Sequence, residues 1–510
     1  TPMPALRRRA ASPWLVLLLS PPALHAQASA YIPLDDPRLP LIEHLIARGE
    51  ISDPTPMMRP FRRSDAVRVL EAADSGPGIT ESSRKLIGYL LTGFGDPKAE
   101  THWSLEGRAG GQAFSHARRD PLHPAGRGEG RPYAEVNFQA VLGNLVLVSR
   151  PALEPRLVLD PDWPGRKDIE VSGRQTEGYL SGQFRWVSLY YGQMDRNWGP
   201  VGAPGIGLSA YAYPRPSVGL EAWVGGFRLS ALAAELRDET DSLGRTVHRY
   251  AFAHRLSTRL SPRLSLAIWE TTVLAGVDRN FDGRYRNPVT LLVLGNQYGL
   301  GDEGNVLFGL DAQWRPYRRV TIQLQLALDD FQYKDRGGPN RYPDRYAFSL
   351  AAFGPLAGST GWRALYTQAS SLAFRATDQF ENLTDAGVGL GRNFDDNDQL
   401  SVFVSVPARL GWLLTPELTV LRQGEGRLSD PVPPTGTPQA GATPQLFIGT
   451  VERTYRAALD LTGRRGPLSV SANAGFHHVV NRNHQPGRTA DRFEGRITAT
   501  LGFGKRGVFH

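Results

Sequence analysis

"TIQLQLAL", residues 321–328, sets Ile322, Leu324, Leu326 and Leu328 against Thr321, Gln323, Gln325 and Ala327. Apolar residues at every second position turn one face of a strand towards an apolar medium, and the glutamines turn the other towards a polar one. The same period runs through Trp103, Leu105, Gly107, Ala109, Gly111 and Ala113, where Glu106 and Arg108 take the polar face. It returns through Leu468, Val470, Ala472, Ala474 and Phe476, and through Ile497, Ala499, Leu501 and Phe503. Tight-turn signals (Gly143-Asn144, Gly225-Gly226, Ser261-Pro262) alternate with long polar stretches at 114–131, 158–171, 276–287, 332–344 and 424–446. A soluble sandwich or propeller and a transmembrane barrel both bury one strand face, so alternation alone leaves both open. Short turns opposite long loops, and runs that continue to the C-terminus, favour the barrel. Between 18 and 21 segments fit the pattern. The expectation is an all-β transmembrane fold over 101–510: an even-numbered antiparallel outer-membrane β-barrel of about 18 strands. Phe509 is penultimate rather than last, a departure from the terminal aromatic usual in such barrels.

The chain has 510 residues, 55 glycines, no cysteine and a hydrophobic fraction of 41%, too low for a helical membrane protein. Its net charge of +8 is spread along the chain, so no nucleic-acid partner is inferred. Arg7, Arg8 and Arg9 precede the apolar run Trp14–Leu19, and small residues follow. This reads as a signal peptide over 1–30, cleaved after Ala26 or Ala30, and too short to span a bilayer, which takes about 20 residues. Export through an oxidising compartment fits the absence of cysteine.

Residues 31–100 have a different period. Leu41, Ile42, Leu45 and Ile46 form one helical stripe. Ser64 is placed to cap a second helix before Val67 and Leu70, and Thr80 a third carrying Leu86, Ile87, Leu90 and Leu91 and stopping at Gly93. Such a small helical unit is marginal alone and is expected to lean on the barrel from the periplasmic side, joined through Gly95–Glu100. A cell-wall polymer is a candidate contact for it.

"YYGQMDRNWGP", residues 190–200, ends a strand and breaks at Gly199-Pro200, so the residues between must sit at the rim or fold over the lumen. Gln193, Asp195, Arg196 and Trp198 combine an aromatic platform with charged and amide hydrogen-bonders, which suits a sugar's apolar face and hydroxyl rim. The structural alternative makes Trp198 an interfacial belt residue and Asp195–Arg196 an ion pair. The stretch resembles the signature of the capsule-assembly (Wzi-type) outer-membrane family in Gly192, Gln193, Asp195, Arg196, Trp198, Gly199, Pro200, Leu208 and Ser209. Glu270, Asn287-Pro288 and Asp329-Asp330 lie in similar blocks in the same order. The resemblance implies an 18-stranded barrel with a periplasmic helical domain. It also implies a lectin-like, non-catalytic role in anchoring capsular or other surface polysaccharide, with outer-membrane lipid around the barrel. The first helices also look like an S-layer-homology repeat. A carbohydrate-selective or general porin is the alternative, since Glu106, Arg108, Gln323 and Gln325 suit a wet lumen equally.

Other motifs read as structure. Asp278, Asn280, Asp282 and Gly283 begin like a calcium loop, but Val289 stands where a bidentate glutamate is needed. His477 and His478 are adjacent on a strand and point to opposite faces. Gly387, Gly389 and Gly391 sit around Val388 and Leu390, which read as a continuing strand with no following helix. No catalytic set, metal site or cofactor is expected.

Overall fold

The computed structural model describes residues 28–76, 79–95, 101–281, 287–292, 304–317, 319–330, 341–408, 411–434 and 436–509. Among them eighteen antiparallel strands form one barrel. They are β1 (Thr101–Phe114), β2 (Glu129–Leu142), β3 (Leu145–Leu153), β4 (Gly173–Gln183), β5 (Val187–Gln193), β6 (Ser217–Val224), β7 (Phe227–Glu235), β8 (Thr246–Ser261) and β9 (Leu264–Gly276). The series continues with β10 (Asn305–Tyr317), β11 (Val320–Asp330), β12 (Arg345–Pro355), β13 (Gly361–Ala369), β14 (Asn397–Pro407), β15 (Trp412–Gln423), β16 (Glu452–Arg465), β17 (Leu468–Val480) and β18 (Thr489–Val508). A two-residue strand, Glu239–Thr240, pairs only with the start of β8. β18 returns to β1, setting Leu501 opposite Ala109 and Phe503 opposite Gly107. Closure leaves no unpaired sheet edge, the condition for strands to cross lipid.

Turns of two to five residues join the strands at one end, and long loops join them at the other. Along β11, Gln323 and Gln325 are fully buried inside while Leu328 is 40% exposed outside. Leu105, Leu147, Leu189, Leu400 and Leu501 are exposed on the same outer surface. An apolar exterior that runs around a closed barrel is a lipid-facing surface. No described helix is long and apolar enough to cross a membrane; the strands do so.

Helices and in-folded loops enter the lumen. Helices α1 (Leu39–Ala47), α2 (Arg63–Asp74) and α3 (Glu81–Phe94) pack at the short-turn end. Thr80 caps α3, its hydroxyl accepting from the Ser83 amide at 3.2 Å. Ser64 does not cap α2. The helix starts two residues earlier than a Ser64 cap would set it, with Arg62 at the N-cap, and the Ser64 amide donates to the Ser29 hydroxyl at 2.9 Å. A residue from a distant segment has taken the capping role. α3 runs one residue past Gly93, and Gly95 follows it. Ile42, Leu45, Phe61, Leu70, Ile87 and Leu90 share one apolar cluster with Leu413 of β15, so the helices complete their core against the barrel wall. His44 Nδ1 lies 2.7 Å from the Ser405 hydroxyl, Arg48 donates to the carbonyls of Gly358 (3.1 Å) and Thr360, and Tyr89 donates to the Arg464 carbonyl.

Two expectations are corrected. Val388 and Leu390 are not in a barrel strand: only Thr384–Asp385 and Val388–Gly389 pair, inside a long 370–396 loop. That loop folds inward because Phe374, Leu383 and Leu390 bury against Trp269, Ala327 and Ala347 of the lumen wall. The loops also differ in length from the polar stretches: 154–172 and 424–451 run longer than expected, and 115–128 is shorter. His477 points in, accepting from Arg456, and His478 points out to Asp491. The basic and apolar parts of the signal-peptide reading, Asp282 and Gly283 of the calcium-like run, and 96–100 lie outside the described residues.

Candidate functional site

At the end of β5 the chain leaves the wall. Gly192 has φ +137°, and a Cβ there would stand 2.1 Å from the Gly178 carbonyl oxygen, so only glycine permits this exit. Residues 194–216 then enter the lumen. Arg59 and Asn197 exchange backbone hydrogen bonds of 2.9 and 3.1 Å, tying this loop to the helical segment. Gln323 Oε1 accepts from the Val201 amide and Gln325 Oε1 from the Ile206 amide, each at 2.9 Å. Gln325 Nε2 donates to the Trp198 carbonyl at 2.8 Å. The inward glutamines of β11 are the posts on which the loop hangs.

Trp198 is 3% exposed, packed on Met58 and Ala253, and is not an interfacial belt residue. Asp195 and Arg196 form no ion pair either, because adjacent residues in extended chain point apart. The Arg196 guanidinium stacks 4.3 Å from the Tyr190 ring centre. Asp195 Oδ1, Arg196 Nε and Trp198 Nε1 are buried without a hydrogen-bond partner among the described residues. Gln193 differs from these three. It stands at the strand end, its Nε2 donating to the Gln175 carbonyl at 2.5 Å, and lines a groove at the loop end of the barrel.

That groove has a volume of about 420 Å³, with Trp163, Arg174, Gln175, Gln193, Tyr213 and Arg237 in its wall. Trp163 is half-buried and meets Tyr213 edge-on, ring centres 4.8 Å apart. Its indole Nε1 has no hydrogen-bond partner among the described residues. A buried network holds the aromatic pair in place. Asp160 Oδ2 accepts from the Tyr213 hydroxyl (2.6 Å) and Arg156 (2.7 Å), while Glu154 accepts from Arg156 and Arg174. Burial works against ionisation of Glu154, but the Arg174 and Arg156 guanidinia beside it hold its carboxyl down at about 2. Burial pushes the Tyr213 hydroxyl up to about 12, so it remains a hydrogen-bond donor. Sequence reasoning placed Gln193 here but missed Trp163 and Tyr213. The available signal was a lone tryptophan between Asp162 and Pro164 in a polar stretch; its partner lies 50 residues away.

Deeper in the lumen is a chamber of about 490 Å³, bounded by α1 at Leu39 and Glu43 and by loops carrying Asp120, His123, Tyr211 and Arg392. His123 stacks on Phe394 at 3.5 Å and lies 2.7 Å from Asp120 Oδ2. Burial opposes a charge on Asp120, yet the adjacent His123 and the Leu122 amide hold it at about 2. Arg392 bonds the side chains of Thr367 and Asn397.

No protein-family model matches the chain, and no curated protein does. Solved structures do. Wzi, an outer-membrane protein involved in group 1 capsule assembly in Escherichia coli and described as a carbohydrate-binding β-barrel, superposes with a TM-score of 0.61 at 14% identity. The match covers 93% of this chain and 99% of that one. OprD of Pseudomonas aeruginosa gives a TM-score of 0.45 at 11% identity, over 80% of this chain and 95% of that one. Likeness at such identities speaks for fold alone, and the fold it shows, together with the closed eighteen-strand wall and its apolar exterior, is that of a bacterial outer-membrane β-barrel of Wzi-like architecture.

Proposed function

We propose that this protein is a non-catalytic lectin that holds extracellular polysaccharide against the loop end of the barrel, with the helical segment on the periplasmic side. The loop-end groove carries this reading. Trp163 offers an aromatic face, and Gln193, Gln175, Arg174 and Arg237 surround it with the hydrogen-bonders that sugar hydroxyls and carboxylates require. The carbohydrate binding described for Wzi, whose architecture this barrel shares, supports it. Gln193 is the contact residue of the original four. Asp195, Arg196 and Trp198 do not line the groove; they are buried in the lumen, where Arg196 stacks on Tyr190 and Trp198 packs on Met58.

The test compares cell-bound with shed polysaccharide in cells producing Trp163→Ala, Gln193→Ala or Arg196→Ala. Heat-modifiable migration reports barrel assembly. Trp163→Ala and Gln193→Ala are expected to assemble normally and shed several-fold more polysaccharide. Normal assembly with normal retention in both would remove the groove from consideration.

A further inference from the structure

The charges of the two barrel ends are arranged differently. Within two residues on either side of the eight short turns the sequence contains no Asp or Glu, and six of those turns carry arginine. The long loops, by contrast, mix both signs, as in the buried Glu154–Arg156–Asp160 network. Around the short-turn rim the exposed Arg185, Arg263, Arg319 and Arg465 make no ion pair among the described residues, whereas Arg228 pairs with Glu221 and Arg464 with Glu106. Arg259 and Arg315 instead face the lumen, Arg259 donating to the Asp53 carbonyl and Arg315 to the Thr321 hydroxyl. Exposed guanidinia concentrated at one rim attract an anion from outside.

Tryptophan marks where that rim meets lipid. Trp103, Trp314, Trp362 and Trp412 stand on outward-facing strand positions beside the short-turn end, and Trp186 lies in a turn with Arg185 stacked 4.8 Å from its ring. At the long-loop end the exposed outer aromatics are instead tyrosines and phenylalanines: Tyr191, Phe308, Tyr455, Phe476 and Phe493 among the described residues. An indole belt fixes the depth of a bilayer's headgroup layer, which puts the arginine collar at the level of the phosphates.

We propose that the short-turn rim is a binding site for anionic glycerophospholipid headgroups, held by guanidinium–phosphate pairing just outside the tryptophan belt. The guanidinium fork donates to two phosphate oxygens at once. The site is separate from the loop-end groove and does not depend on it.

Native mass spectrometry of the full chain in neutral detergent, titrated with phosphatidylglycerol or phosphatidylethanolamine, tests this. The intact protein should retain phosphatidylglycerol at least several-fold more tightly. The quadruple variant Arg185→Gln/Arg263→Gln/Arg319→Gln/Arg465→Gln should lose that preference while keeping heat-modifiable migration. Arg263→Gln alone, an exposed turn position, should weaken it partially and serves if the quadruple variant misfolds. A loop-end control, Arg166→Gln/Lys167→Gln/Arg245→Gln, should leave it unchanged. Equal retention of the two lipids overturns the proposal, as does an unaffected Arg263→Gln. An equal loss in the loop-end control, or displacement of the lipid by inorganic phosphate at equimolar concentration, overturns it as well.

Discussion

At the scale of single residues, two side chains show how position decides role. Gln325 reads in the sequence only as an inward polar residue; in the structure it holds Trp198 and Ile206 of a loop more than a hundred residues away. Its inward direction follows from a period of two, but its partners depend on which loop turns into the lumen. His44 is the second case. Burial, reinforced by the Arg48 charge, lowers its pKa from 6.5 to about 4. Above pH 6.5 the ring is neutral whether or not the helices are docked, and docking has its full strength. As pH falls from 6.5 towards 4 the undocked form takes up the proton first, so docking weakens by up to about 3 kcal/mol. Hydrogen exchange across α1 should therefore accelerate on acidification over that window, and His44→Gln should flatten the dependence. Equal pH profiles for both proteins would show that His44 does not carry the effect. Near the chain's start, Ser29 caps α2 and bonds Gln183 of β4, and of the two expected cleavage positions only that after Ala26 keeps it.

At the scale of elements, strands were legible and loops were not. Alternation in 321–328, 468–476 and 497–503 gave the correct faces, because lipid outside and polar contacts inside impose the same rule on every strand. The helices at 39–47 and 81–94 were legible from their stripes and from Thr80. The in-folding of 194–216 and 370–396 was not, since it rests on contacts such as Phe374 with Trp269 that no local pattern encodes. Leu324 and Gln325 test the two faces of β11. Leu324→Arg puts a charge on the lipid face and should cost about 2–4 kcal/mol near mid-bilayer. Gln325→Leu leaves the Trp198 carbonyl and the Ile206 amide unpaired, at about 1–3 kcal/mol each, and should loosen the loop without stopping insertion. Chemical denaturation read by barrel migration and by protease access to 194–216 separates the two outcomes. Loop release in Leu324→Arg together with normal loop protection in Gln325→Leu would reverse the assigned faces.

At the scale of the whole molecule, eighteen strands are enough to enclose an aqueous channel when nothing fills it. Here α1, the 194–216 loop and the 370–396 loop occupy the interior, and Arg59 with Asn197 joins the helical segment to the loop. Planar-bilayer recordings of the intact chain should show no porin-like conductance steps. Sustained large steps would instead favour the carbohydrate-selective or general porin.

The seam between β1 and β18 closes a wall that is also held from within. Residues 28–31 are bonded to Gln183 and Tyr179 on its inner face, and the return of β18 sets Leu501 opposite Ala109. The barrel thus carries its own cork on a tether: the helical segment belongs to the same chain as the strands around it, so it cannot diffuse away even when its contacts open.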